Sequence, residues 1–234
     1  MVFQTFMTRS SETSQRDKAP YLEQSQQMSG SSSGKIVVLN GFPGTGKLTV
    51  LKHLQKYLPT ETTCLLDNHL LIDPVVAVIP DRSDRHHELR RSVRAPIFEE
   101  LAHQAKQGHT ILTTACLAAD SPRDEAVFRE HLDIARKARV TLYWINVHCH
   151  RNVLEQRVST PERQQGSKTK LTDVDVLWDI LENNSLLEPS NNGNGDVRLV
   201  FESMDVSGEV ETAGICLLNI ITSTKAVAED NSAF

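Results

Sequence analysis

Apolar residues fall along this 234-residue chain in two alternating rhythms. Short runs rich in branched side chains have the length and composition of buried strands: Ile36-Val37-Val38-Leu39, Thr63-Cys64-Leu65-Leu66, Ile111 to Leu117, Val140 to Val147 and Val197 to Phe201. Between them lie segments whose apolar positions recur at helical spacing. Val50, Leu51 and Leu54 predict a helix over Leu48 to Leu58, stopped by Pro59. Leu70 to Pro80 reads either as a buried helix packed on the sheet or as a pocket wall. Ser83 opens an arginine-rich helix, Pro96 suits the first turn of the next, and Gly108 is its stop. Ser121, Pro122 and Asp124 make a good helix start, and Thr172 with Asp175 a capping box. Ser207 caps a last helix through Ile221. Strands alternating with helices predict parallel pairing in a three-layer α/β/α sandwich with a five-stranded sheet.

Residues 1–34 break this rhythm. Ser and Gln dominate, and the stretch closes on Gly30-Ser31-Ser32-Ser33-Gly34, so a disordered N-terminal tail is expected. One domain then spans 35–222, and 223–234 is a tail that should fray. The 39% hydrophobic and 24% charged fractions suit a globular protein. A net charge of −5 argues against bulk attraction to nucleic acid or an anionic membrane. No apolar run reaches the length of a membrane span, and the N-terminus lacks a signal pattern. The four scattered cysteines fit reduced thiols in a cytoplasmic protein, monomeric or homodimeric. The His148-Cys149-His150 run lacks further paired ligands and predicts no metal site.

Chemistry concentrates at the first strand. It runs into Gly41-Phe42-Pro43-Gly44-Thr45-Gly46-Lys47, and a helix follows at once. Glycines let backbone N–H groups turn inward around an anion, the helix start adds partial positive charge, and Lys47 adds a full one. Strand, glycine-rich loop and helix in register predict nucleotide binding. At the end of the second strand stand Asp67 and His69, where open α/β sheets bind ligands. Asp67 suits orienting or deprotonating a hydroxyl and equally suits capping the next turn.

The loop departs from the commonest pattern, with Leu48 after the lysine and a hydroxyl one later at Thr49. In this it resembles the G-x-P-G-x-G-K-x-T loop of adenylate kinase and other nucleoside monophosphate kinases, matching at Gly41, Pro43, Gly44, Gly46, Lys47 and Thr49. The resemblance implies a P-loop NTPase fold over about residues 35–222, with strand order 2-3-1-4-5. It also implies ATP as donor, held by Gly41, Gly44, Thr45, Gly46, Lys47, Leu48 and Thr49. Mg2+ would be bound through water and phosphate oxygens, with Thr49 near that water.

After the second strand the chain resembles the shikimate and gluconate kinase group. That group carries an acid-x-acid pair where this chain has Asp67 and His69. Its arginines grip the acceptor's phosphate or carboxylate, which assigns substrate contact to Asp67, His69, Arg90, Arg91 and Arg94. A solvated helix face explains the arginines as well. In the same kinases a basic lid follows the fourth strand. Here that is about 157–172, with Arg157 and Arg163 clamping the transferring phosphoryl beside Lys168 and Lys170. Asp120-Ser121-Pro122-Arg123 is a loose echo of the adenylate kinase D-G-x-P-R run, one residue shorter. The expected activity is an ATP-dependent kinase for a small-molecule acceptor, with Lys47, Asp67, Arg157 and Arg163 catalytic. Leu48 and the absence of an acid closing the third strand motivate an alternative: a nucleotide-binding module or weak ATPase with a regulatory or assembly role.

Overall fold

In a computed structural model of the full chain, the residues described are 33–165, 170–189 and 195–223. Of the tails expected at 1–34 and 223–234, residues 1–32 and 224–234 lie outside them, as does Lys168.

Five parallel strands form one sheet in the order β2-β3-β1-β4-β5. They are β1 (Lys35–Asn40), β2 (Thr63–Leu66), β3 (Thr110–Ala115), β4 (Thr141–His148) and β5 (Leu199–Asp205). The helices are α1 (Lys47–Gln55), α2 (His69–Val78), α3 (Asp84–Lys106), α4 (Pro122–Ala138), α5 (Arg151–Val158), α6 (Pro161–Gln164), α7 (Val174–Asn183) and α8 (Val210–Thr222). Strand alternation divides the core in two. Ile36 and Val38 of β1 pack with Phe98 and Leu101 of α3 and Phe128 and Leu132 of α4. Val37 and Leu39 face the other way, onto Leu51 and Leu54 of α1 and Leu217 of α8. The three-layer sandwich and its strand order are as expected. Among the described residues, no helix is long and apolar enough to cross a membrane.

Several boundaries differ from the sequence reading. Helix α1 closes at Gln55, because Lys56, Tyr57 and Leu58 each bond the carbonyl three residues back, a tightened last turn. Pro96 does not begin a helix: α3 runs through it for 23 residues. The carbonyl it leaves without a helical partner is that of exposed Ser92, where the cost is small, and the turns on either side are pinned by Arg94 and Phe98. Strand β5 starts later and runs further than Val197 to Phe201, since its polar half, Glu202 to Asp205, completes the ladder along β4. The α7 cap is Asp173, which accepts from the N–H groups of Asp175 and Val176, displacing Thr172 from that role. Ser207 donates to Asp205 Oδ1 and accepts from His150 N, so α8 starts later, after Glu209. Of Leu70 to Pro80, the part to Val78 is helix α2, with Leu71 and Val75 buried and Leu70 and Val78 exposed.

Candidate active site

The carboxyl ends of β1, β3 and β4 meet beneath the glycine loop, and two buried amides hold them. Asn40 Nδ2 donates to Asn146 Oδ1 at 3.0 Å and to Leu117 O, while Asn40 Oδ1 accepts from Leu117 N at 2.8 Å. Asn146 Nδ2 in turn donates to Leu187 O, and Leu187 N bonds Leu117 O. A buried network of this kind is rigid only when its members are satisfied, and these donors and acceptors are.

Above it the loop turns through Gly44 and Gly46 at φ 90° and 84°, a region glycine enters without strain. A Cβ on Gly41 would stand 2.7 Å from Val147 O, so the loop lies too close to β4 for any side chain there. Gly46 is the N-cap of α1 and offers no side chain to its first N–H groups, leaving them for an anion. Lys47 Nζ donates to the carbonyls of Gly41 and Phe42, at 2.5 and 3.0 Å. Burial lowers its pKa, with Arg163 pushing the same way; Cys116 and Asp67 pull it back up. Those opposing influences fix the neighbourhood of the ammonium. The charges of Asp67 just after β2, Cys116 just after β3 and Arg163 of α6 are all felt there.

Asp67 is buried, and its Oδ1 accepts from His69 N at 3.1 Å. It therefore closes the turn into α2, one of the two roles expected of it, and its charge is felt at Lys47. His69 turns along α2 instead, with Nδ1 3.3 Å from Asp73 Oδ1. The three α3 arginines separate. Arg94 is buried in a two-pronged pair with Glu130 of α4, at 2.9 Å from Nη2 to Oε1, and so serves the α3–α4 interface. Arg91 is 80% exposed, with Nε 3.9 Å from Glu130. Arg90 is half-buried and feels Arg94, Arg82 and Asp124. Arg123 pairs with Asp84 at the exposed start of α3.

A cavity of about 350 Å³ opens on the other side of the loop, between the loop with the start of α1, the α5–α6 segment and the turn into α8. Gly44, Thr49, Arg157, Arg163, Val206 and Ala213 are among its walls. Arg157 Nη1 donates to Thr45 O at 3.1 Å and to Cys149 Sγ, and Nη2 donates to Val206 O at 3.1 Å. The guanidinium thus straps the phosphate loop to the ends of β4 and β5. Arg163 Nε donates to Leu171 O at 2.6 Å, and burial lowers its pKa. Helices α5 and α7 keep a small core of their own, Leu154, Val158 and Leu177. Thr49 lies on the cavity side with Val50. Sequence reasoning missed this wall: Val206, Gly208, Val210 and Ala213 carry no motif, and only their place after the fifth strand points to a ligand. It also missed Cys116, whose thiol pKa desolvation pushes up and Lys47 pushes down.

A glycine loop at the centre of a 2-3-1-4-5 parallel sheet, a buried carboxylate whose charge reaches its lysine and basic helices flanking it define a P-loop kinase, nucleotide-dependent and acting on a small-molecule acceptor. The chain belongs to the family of chloramphenicol phosphotransferase-like proteins, whose sequence model matches residues 34–189. A search of curated proteins returns no match. Among solved structures it is similar to a candidate kinase from Chloroflexus aurantiacus J-10-fl, at TM-score 0.55 and 14% identity, covering 82% of this chain and 98% of that one. It is also similar to the tunicamycin resistance protein of Deinococcus radiodurans (TM-score 0.51, 13% identity, 82% and 97% covered). A sugar kinase from Janibacter sp. HTCC2649 follows at TM-score 0.50 and 16% identity, with 80% and 94% covered. At these identities the likeness is one of fold.

Proposed function

We propose that this protein transfers the γ-phosphoryl group of ATP to a hydroxyl of a small-molecule acceptor that enters between the ends of β2 and β3 and the start of α3. One observation carries the reading: a buried carboxylate, Asp67, placed where its charge is felt at the Lys47 ammonium. The loop N–H groups and Lys47 hold the β- and γ-phosphates, for which Lys47 leaves the carbonyls it now bonds. Asp67 orients the acceptor hydroxyl and takes its proton as the O–P bond forms, and ADP leaves. Arg163, whose charge reaches Lys47, stabilises the transferring group. Arg157, spent on Thr45, Cys149 and Val206, shapes the wall against which the nucleotide base lies.

Magnesium is implied by this chemistry, and the donors fit an ion held mainly by phosphate oxygens and water. The described residues include no cluster of three ligating side chains, Asp67 is the carboxylate near Lys47, and Thr49 stands on the cavity side of the loop. When bound, the ion neutralises phosphate charge. The unpaired cysteines support a reducing, cytoplasmic setting, with the protein working as a monomer or homodimer.

ADP release, measured over a panel of hydroxylated metabolites and nucleoside monophosphates, tests the proposal. Asp67→Asn should retain ATP binding while acceptor-dependent transfer falls about 100-fold or more. Unchanged transfer in that variant would remove the assigned base. Tight ATP binding that no acceptor accelerates would favour the binding module, which the apolar Leu48 and the acid-free end of β3 motivate.

A further inference from the structure

The cavity beside the phosphate loop divides by chemistry. One part of its wall is aliphatic: Val50 of α1, Val206 in the turn after β5, and Val210 and Ala213 of α8. Between these, Gly208 leaves open space, where an added Cβ would meet nothing within 4 Å. The charged side chains of the cavity are Arg157, Arg163 and Lys170, all cationic, and no carboxylate among the described residues lines it. Of the two acids in the turn into α8, Asp205 accepts from Ser207 N and Oγ and stands 3.7 Å from His150 Nε2, while Glu209 is exposed. Neither is a wall of the cavity.

Backbone groups of the same wall are engaged as well. Val206 N bonds His148 O at 2.8 Å, and Val206 O accepts from Arg157 Nη2 at 3.1 Å and from Cys149 Sγ at 3.6 Å. Ser207 N donates to Asp205 Oδ1 at 2.9 Å, and Thr45 O accepts from Arg157 Nη1 at 3.1 Å. The hydroxyls of Thr49 and Thr160, also on the cavity, can each donate or accept, so neither tells a carbonyl from an amino group. That distinction is what separates the purines. Adenine presents an amino group beside a ring acceptor, and guanine a carbonyl beside N–H donors. A site that hydrogen-bonds one such edge can reject another by about 10⁴-fold or more, whereas an apolar wall discriminates by only about 10–200-fold.

We propose that this protein selects its phosphoryl donor by the triphosphate and not by the base, so that purine nucleoside triphosphates as a class, GTP and ITP alongside ATP, serve it. This rests on the kinase reading and widens its donor. The loop N–H groups, Lys47 and Arg163 hold the phosphates, and the base lies on the aliphatic surface of Val206, Val210 and Ala213. Transfer keeps the same balance with each donor. The acceptor oxygen bonds the γ-phosphorus, its proton passes to Asp67, and the nucleoside diphosphate leaves.

Calorimetric titration of the full chain with the magnesium complexes of ATP, GTP and ITP tests this without an acceptor. The three dissociation constants should lie within about 100-fold of one another. One of them tighter than another by more than that overturns the proposal and leaves the kinase standing, and so does ATP binding without GTP binding. Binding by none of the three overturns it as well. The kinase reading fails on a different result, nucleotide binding that no acceptor converts into diphosphate release. A variant then locates the base. Val210→Asp puts a carboxylate into the wall at the first turn of α8, where a helix accepts an acid. Guanine has N–H groups to give it and adenine a ring acceptor, so the affinity for GTP relative to ATP should rise about tenfold. Glu209→Gln, a charge change outside the cavity, should keep the wild-type ratio. An unchanged ratio in Val210→Asp takes the base off this wall and overturns the proposal.

Discussion

Replacing Glu130 by alanine isolates what Arg94 does. The pair joins α3 to α4 with the arginine side chain 6% exposed and the glutamate 22% exposed. Removing one partner of a buried pair costs about 3–5 kcal/mol, chiefly because the other charge stays desolvated. Water already reaches Glu130, and it would partly rehydrate the abandoned guanidinium, so the lower end, about 3 kcal/mol, is the expectation. Exposed Arg91, 3.9 Å away, adds little. At roughly 2–4 °C per kcal/mol for a domain of this size, Tm should fall about 6–12 °C, with a matching drop in urea midpoint and an unchanged m-value. The double variant Arg94→Met with Glu130→Leu removes both charges and fills the space. It should recover most of the loss, giving a strongly favourable coupling in the cycle closed by the single variants Arg94→Met and Glu130→Leu. Acceptor KM in the double variant should stay near the wild-type value, because Arg94 is spent on the interface. The reasoning fails if Glu130→Ala costs under about 1 kcal/mol, or if the double variant restores stability but loses acceptor binding. The second outcome would return Arg94 to the substrate.

Other outcomes follow from single groups. His131 is buried between Phe98 and Trp144, and burial lowers its pKa to about 4. The unfolded imidazole, with its ordinary pKa of 6.5, takes up a proton before the folded one does. Its contribution is thus fully present above that pH and is lost as pH falls towards 4, at up to about 1.4 kcal/mol per pH unit. His131→Phe should flatten that part of the stability profile relative to wild type, and an identical profile would contradict the assignment. Arg157→Ala should raise the KM for ATP about tenfold with a small change in kcat, whereas Arg163→Ala should lower kcat. Steady-state kinetics showing the reverse pattern would exchange their roles.

The fold was legible because β1, β3 and β4 are short runs rich in apolar and β-branched residues and the glycine loop fixes which strand is central. Strand ends were less so. Leu117 is as apolar as its neighbours, yet β3 stops at Ala115 because the Leu117 backbone is claimed by Asn40 and Leu187, 77 and 70 positions away in the chain. Pro96 misled for a related reason: the propensity of one residue is overruled when its helix is clamped on both sides. Within the site, the loop, Asp67 and the lid arginines could be located by position in the chain, as could the three arginines of α3. Their division of labour could not. It depends on Glu130 standing opposite Arg94, a fact of helix pairing that no local spacing records.

The Asn40–Asn146 network beneath the loop bears on how the protein reaches its working state. Its hydrogen bonds join segments 77, 106 and 41 positions apart, so no fragment ending before Leu187 can complete it. Contacts of such long range form only once the intervening chain has been ordered. The floor of the phosphate loop is accordingly among the last parts of the domain to set, after β1, β3 and β4 are side by side. An emerging or truncated chain would carry the complete glycine motif and still lack a firm seat for phosphate. Nucleotide then acts as a late inspector of assembly, adding stability only to molecules in which β1, β3, β4 and the strand-like stretch after α7 have already met.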